Sequence, residues 1–223
     1  MSSPSITFQE ARRFELIAAV AIAGLAIFAA TALLLPLVSE YSLTADYISE
    51  LAIGRYGYLL TAAFFATGLG TLALAVGIRM ATNGSWGLRL GSALIGLYGI
   101  GAILVGIFPT DEIDPAGRVE SPTLVGSVHI VVSALAFVLV IAGMFVLSRT
   151  FKRDARWRAY LPWSLMLAVA ALVAFIAWPS EGTWVGLIQR IFIGTIMLWQ
   201  VLVAFRIRSI AKAASTEQAS RVR

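Results

Sequence analysis

The segment FPTDEIDPAGRVESPTLVGSVH, residues 108–129, decides how the rest of the chain is interpreted. One apolar run ends at Pro109, an acidic stretch follows, and the next apolar run opens at Ser121 and Pro122. Ser121 is predicted to cap the new helix and Pro122 to take its first position, since these are the preferred places for serine and proline. His129, the chain's single histidine, follows early in that helix. The segment therefore predicts a loop between two membrane-spanning helices, with a polar group close to it.

The composition is that of an integral membrane protein. Of the 223 residues, 59% are hydrophobic and 13% are charged, and the mean hydropathy is +0.87, far to the apolar side of soluble proteins. The absence of cysteine excludes disulfides, thiolate metal sites and thiol nucleophiles. The basic residues behind the net charge of +5 lie in short segments between apolar runs. They therefore indicate membrane topology, and no nucleic-acid partner is predicted.

Six apolar runs are long enough to cross a hydrocarbon core, which needs about 20 helical residues. The predicted spans are residues 14–38, 56–78, 88–108, 122–147, 160–178 and 183–205. The expected fold class is all-α, with a single six-helix membrane domain over residues 14–205. Residues 1–13 form an N-terminal arm, and residues 206–223 form a basic tail in which no feature demands a fold. A short interfacial helix is expected at 44–51, and the glycines of the third span predict close helix contacts.

Charge alternates between the connections. The N-terminal arm, the second and fourth connections and the tail are net positive, whereas the first, third and fifth connections are net negative. By the positive-inside rule, both termini are predicted to lie in the cytoplasm and the acidic connections outside. Richness in arginine and alanine favours a prokaryotic genome. The predicted location is therefore a prokaryotic inner membrane.

Two ionisable residues fall inside the predicted spans, His129 in the fourth and Arg190 in the sixth. At 1.5 Å per residue, each lies about 10 Å from the outer end of its helix, so both share one depth. Each also lies on a stripe of small residues, which is typical of a face packed against other helices. The stripes are Gly126, His129, Ser133 and Ala136 on the fourth span, and Gly186, Arg190 and Gly194 on the sixth.

A charge inside the membrane costs about 2.5 to 3.5 kcal/mol, so Arg190 is expected to have a partner or a wet cavity. The acidic candidates are Asp46, Glu50, Asp111 and Glu181. Asp111 is the first choice because it follows Phe108 and Pro109 directly at the rim of the third span. Gln189 has less weight because it points about 100° away from Arg190 around the helix.

Two interpretations of this polar cluster stay open, a structural staple that orients the helices and a site for a ligand or a proton. No metal is predicted, because one histidine would need further nitrogen or sulfur ligands. Ser133 lies one turn from His129, but no oxyanion arrangement can be read around it. No cofactor and no catalytic residue are therefore predicted, and the chain is more readily a binding protein than an enzyme.

The pattern resembles a known family. The stretches DYISEL (46–51) and FPTD (108–111), followed by His129, resemble the prokaryotic membrane family called domain of unknown function 998, over about residues 14–205. More distantly, the chain is similar to the eukaryotic Frag1, DRAM and Sfk1 six-helix group, whose members are associated with membrane lipid organisation and stress responses. The resemblance implies the architecture but brings no established activity.

The predicted function is binding of a lipid head group or a small anionic amphiphile in a polar pocket in the outer half of the bundle. Arg190 would supply a fixed charge, His129 a hydrogen bond or a proton, and Asp111, with Glu50, the counter-charge. The expected partners are membrane lipids. One alternative is a proton-coupled small-molecule transporter that uses the same residues. A second is an intramembrane hydrolase or transferase with His129 as its base.

Overall fold

The protein was examined as a computed structural model that describes residues 8–82, 85–112, 119, 121–179 and 182–221. Its α-helices are Phe8–Leu34 (α1), Gly57–Ala81 (α2), Trp86–Ile107 (α3), Leu124–Phe151 (α4), Leu161–Ile176 (α5) and Val185–Arg221 (α6). Short 3-10 helices lie at Leu35–Val38, Ile48–Ala52 and Arg158–Tyr160. Because these described ranges contain no strand, the predicted all-α fold class is confirmed.

Within these ranges, six helical segments are long and apolar enough to cross a membrane, and the chain is a multi-pass membrane protein. Large apolar side chains are exposed along their outer faces, including Leu16 at 66% and Leu135 at 58%. Such a surface would promote aggregation in water but matches the hydrocarbon of a bilayer. The six helices correspond one by one to the six predicted spans.

Helices that are neighbours in sequence pack against each other, and α6 also packs against α1 and α2. The contact between α2 and α3 is close at Gly68 and Gly99. A Cβ added to Gly99 would lie 2.9 Å from the carbonyl oxygen of Gly68. The predicted close contact of the third span is therefore confirmed at this point, where two backbones approach without a side chain between them.

The alternating helix directions place the described parts of the connections 39–56, 108–123 and 177–184 at one end of the bundle, which we call the acidic end. The opposite basic end carries the connection 152–160 and the described part of the connection 82–85. Trp157 is fully buried at this end and stacks on Phe151 with ring centroids 4.4 Å apart. A packed aromatic pair therefore lies at the basic end.

Two helix ends extend beyond their predictions. The tail, in which no fold was predicted, is helical as far as Arg221. Alanine, arginine and lysine have high helix propensity, and Ile207 and Ile210 are buried against the bundle. Arg206 fixes this helix by donating its Nε–H to the carbonyl of Arg156 at 2.7 Å. At the other terminus α1 begins at Phe8, so part of the predicted arm belongs to the first helix.

Two local predictions at the acidic end are wrong. The helix cap of α4 is Thr123, whose side chain accepts from the backbone N–H of Gly126, and the helix begins after the predicted Ser121 and Pro122. The expected interfacial helix at 44–51 is a 3-10 helix confined to Ile48–Ala52. Residues 42–46 form a turn instead, because the Asp46 carboxylate accepts the backbone N–H of Ser42 at 2.7 Å.

A candidate binding cavity at the acidic end

A cavity of about 400 Å³ lies between the helices in the half of the bundle next to the acidic end. All six helices contribute to its wall, and Tyr47, Ile48 and Ser49 cover it from the first connection. The volume falls in the range of pockets that hold drug-sized molecules, about 300 to 1,000 Å³. The cavity is therefore large enough for a small organic ligand.

The wall of the cavity is largely apolar and carries no permanent charge among the described residues. One side is aromatic, where Phe137 packs on Trp178 with ring centroids 5.9 Å apart and on Phe175 at 6.5 Å. The polar side chains in the described part of the wall are those of Tyr47, Ser49, Thr67, Tyr98, Thr110, His129, Ser133, Trp178 and Gln189. A wall of this kind suits an apolar molecule with a small hydrogen-bonding group.

His129 is 6% exposed, and its Nδ1 lies 2.7 Å from the carbonyl oxygen of Phe108. A carbonyl only accepts, so Nδ1 carries a proton, and when the ring is neutral its Nε2 is a hydrogen-bond acceptor. Pro109 lacks an N–H and cannot continue α3, which leaves carbonyls at the helix end in need of donors. His129 thus ties the start of α4 to the end of α3 while its ring lines the cavity.

Asp111 binds Thr123, the N-cap residue of α4. Its carboxylate accepts the backbone N–H of Thr123 at 3.0 Å and the Thr123 hydroxyl at 2.6 Å. These two hydrogen bonds hold the pKa of Asp111 below its ordinary value. A Cβ on Gly126 would overlap this carboxylate, so only glycine leaves room for it. The predicted ion pair between Asp111 and Arg190 is wrong, because the Asp111 carboxylate accepts hydrogen bonds from Thr123 at the start of α4 instead.

Arg190 holds the first connection. Its Nη1 donates to the carbonyl of Asp46 at 2.8 Å and to the carbonyl of Gly186 at 3.0 Å. Its guanidinium carbon lies 5.6 Å from the centre of the Tyr41 ring, within the range of a cation–π contact. Arg190 is not among the residues that line the cavity. Glu181, another predicted partner, lies outside the described residues.

The carboxylates of Asp46 and Glu50 also accept hydrogen bonds within the first connection. Asp46 accepts from Ser42, as described above, and Glu50 Oε1 accepts the backbone N–H of Tyr47 at 2.8 Å. Burial raises the pKa of Glu50 to about 7, against the lowering effects of the Tyr47 hydrogen bond and of Arg190. Neither carboxylate lies in the cavity wall. The three residues Arg190, Asp46 and Glu50 therefore form a cluster beside the cavity.

Gln189 completes the attachment of the first connection to α6. Its side-chain oxygen accepts the backbone N–H of Ile48 at 2.6 Å, and the backbone N–H of Leu187 donates to the carbonyl of Thr44 at 3.0 Å. Gln189 and Arg190 point in different directions around α6, yet both reach this connection because it curves across the helix. These contacts fix the segment 44–48 against α6, with Tyr47 and Ile48 in the cavity wall.

A buried pair at a deeper level was missed by the sequence analysis. Thr71 and Gln200 are both 0% exposed, and the Thr71 hydroxyl donates to the side-chain oxygen of Gln200 at 2.8 Å. No described residue accepts a hydrogen bond from Gln200 Nε2. Neither residue is ionisable, so the pattern of charges within the spans did not indicate this pair. An uncharged glutamine in an apolar run was the signal that could have found this pair.

Of the two predicted small-residue stripes, only that on α4 is packed throughout. Ala136 faces α3, where a Cβ on Gly101 would lie 2.6 Å from the Ala136 Cβ. On α6, Gly186 packs under the Asp46 carbonyl, but Gly194 is exposed and has nothing within 4 Å of an added Cβ. The structure therefore brings His129 and Ser133 together at the cavity. The other four predicted residues contact the connections around it.

Residues 21–206 match the family model described as "Protein of unknown function (DUF998)". The match covers more than half of the chain and includes both stretches on which the resemblance rests. No curated protein and no solved structure matches the chain.

Proposed function

The chain belongs to the DUF998 family, and on that premise we propose that it binds an amphipathic small molecule in the cavity at the acidic end. The observation that carries the proposal is the cavity itself, about 400 Å³ in volume and mostly apolar. A membrane protein with such a space is surrounded by molecules of matching chemistry, the membrane lipids.

The polar groups of the wall suit the head of such a ligand. The neutral ring of His129 offers an acceptor at Nε2, and the hydroxyl of Ser133 can donate or accept. In the same wall, Phe64, Ile193 and Met197 supply apolar surface for a chain.

The wall favours an uncharged head group over the anionic one predicted from the sequence. Arg190 was expected to supply a fixed charge, but it is not among the residues that line the cavity. A buried anion without a cation would pay a large desolvation cost. We therefore propose a ligand whose head carries a hydroxyl, ester or amide group.

The test compares lipid retained by the purified protein in detergent, measured by mass spectrometry. Ser133→Phe fills the cavity, and Val131→Phe adds the same bulk on the same helix at a position that is 57% exposed and outside the cavity wall. We expect wild type and Val131→Phe to retain the same lipid and Ser133→Phe to lose it. Equal amounts of retained lipid in all three proteins would contradict the proposal.

A further inference from the structure

The short helix α5 leaves a gap beside the cavity. It ends at Ile176, and its last turn meets α4 at the level of Phe137, through the ring contact with Phe175 at 6.5 Å. From Phe137, α4 continues toward the acidic end as far as Leu124, which is 13 residues or about 20 Å of helix. This part of α4 extends beyond the end of α5.

The solvent exposure of the side chains along one flank of α4 shows where this gap lies. Ile130, Ala134, Phe137 and Ile141 lie on one flank of the helix, at the spacing of successive turns. Ile141 is 6% exposed and Phe137 is half-buried, but Ala134 is exposed and Ile130 is 57% exposed. Ile130 and Ala134 also line the cavity. The same side chains therefore border the cavity and the outer surface.

This opening lies at the depth of the hydrocarbon. Ala134 is ten residues from the start of α4, about 15 Å along a helix that crosses a core about 30 Å thick. The adjacent Val131 and Leu135 are exposed at 57% and 58%, as expected of side chains in contact with lipid. The molecules next to the opening are therefore acyl chains.

At the acidic end, in contrast, Tyr47, Ile48 and Ser49 of the first connection line the cavity. Ile48 is held by Gln189 at 2.6 Å, and the ring of Tyr47 packs on Trp178 with centroids 6.0 Å apart. Three hydrogen bonds from α6 hold this connection in place. Entry from water along this route would require them to break.

We infer that the cavity is loaded from the bilayer, through a side opening between α4 and the end of α5 that is bordered by Ile130 and Ala134. This inference rests on the proposed function and adds the source of the ligand. The ligand is a membrane-dissolved amphiphile with a slim apolar chain, which can lie in the opening while the head group contacts His129 and Ser133. The opening is bordered on the side of Phe137 by the contact between the rings of Phe137 and Trp178.

The absence of cysteine makes the opening directly measurable. Ser133→Cys places one thiol in the cavity of protein reconstituted in phosphatidylethanolamine and phosphatidylglycerol vesicles. Its reaction is followed with pyrene maleimide, which partitions into the bilayer, and with a sulfonated maleimide, which stays in water. Each rate is normalised to the rate for the unfolded protein. We expect pyrene maleimide to react at least tenfold faster on this scale.

Blocking the opening supplies the matched comparison. In the Ser133→Cys background, Ala134→Trp should slow pyrene maleimide at least tenfold, whereas Val131→Trp, on the lipid face about 4.5 Å nearer the start of α4, should leave the rate unchanged. Ile130→Trp replaces Ala134→Trp if the latter fails to elute as a single folded species. Equal normalised rates for the two reagents, or no effect of the blocking variant, would overturn the inference. Because the assay uses no ligand, it can fail while the lipid-retention test succeeds, and the reverse.

Discussion

Glu50 is a half-buried carboxyl group in the connection that covers the cavity. Burial raises its pKa to about 7, although the Tyr47 N–H bond and the nearby Arg190 act in the opposite direction. Its ordinary pKa is 4.5, so between these two pH values the folded protein binds more protons than the unfolded chain. Folding stability contributed by Glu50 must therefore fall as the pH rises through this window.

Glu50→Gln is expected to remove that part of the pH dependence while keeping an acceptor for the Tyr47 N–H. The melting temperature of the variant relative to wild type should rise from pH 5 to pH 8, as measured in detergent. Asp111→Asn is the contrast, because the pKa of Asp111 is lowered and the stability it contributes is lost only in acid. A constant difference between Glu50→Gln and wild type from pH 5 to pH 8 would contradict the role of burial.

Among the helical elements, the pair α2 and α3 depends on glycine at one crossing. A Cβ on Gly99 would lie 2.9 Å from the Gly68 carbonyl oxygen and 3.2 Å from the Leu72 backbone nitrogen. Backbone atoms cannot move aside as a flexible side chain can, so Gly99→Ala must push the two helices apart. We expect it to lower the melting temperature by several degrees, measured by thermal unfolding in detergent.

Gly194→Ala is the matched control, because it makes the same change in a helix where nothing lies within 4 Å. Alanine has higher helix propensity than glycine by about 0.5–1 kcal/mol. This variant should therefore keep or raise the melting temperature. Similar losses in both variants would indicate a general cost of the substitution and would contradict the close crossing.

The apolar runs predicted all six helices, because crossing a hydrocarbon core imposes a length and a composition on each one. The helix ends depended on contacts that the local sequence does not specify. Both Ser121 and Thr123 are suitable caps, and the choice falls on Thr123 because Asp111, distant in sequence, binds it. The final helix continues because Ile207 and Ile210 find apolar neighbours.

At the scale of the whole molecule, topology was enough to bring His129 and the first connection to one end of the bundle. The pairing of side chains was not predictable in the same way. Arg190 donates to two backbone carbonyls, those of Asp46 and Gly186, and every residue carries such a group. Whether an arginine meets a carboxylate or a carbonyl depends on how the connection folds over α6, which charge and spacing leave open.

The arrangement as a whole separates two tasks that the sequence assigned to one cluster. Asp111, Arg190, Asp46 and Glu50 hold the connections, whereas His129 and Ser133 line the cavity. The charged groups are thereby engaged outside the cavity wall. This separation explains how an uncharged space can persist directly beneath two acidic connections.

The orientation of the bundle in the membrane is a prediction that the same cysteine-free chain can test. The first connection carries Glu40, Asp46 and Glu50 against Arg55, whereas the fourth carries Lys152 and four arginines against Asp154. Basic connections are retained in the cytoplasm during insertion, so the acidic end should face outward. Thr44→Cys and Lys152→Cys place thiols at exposed positions on opposite ends. In intact cells, a sulfonated maleimide should label Thr44→Cys at once and Lys152→Cys only after permeabilisation. The reverse labelling would mean that the cavity opens toward the inner leaflet, so the ligand would be drawn from the lipids of that side.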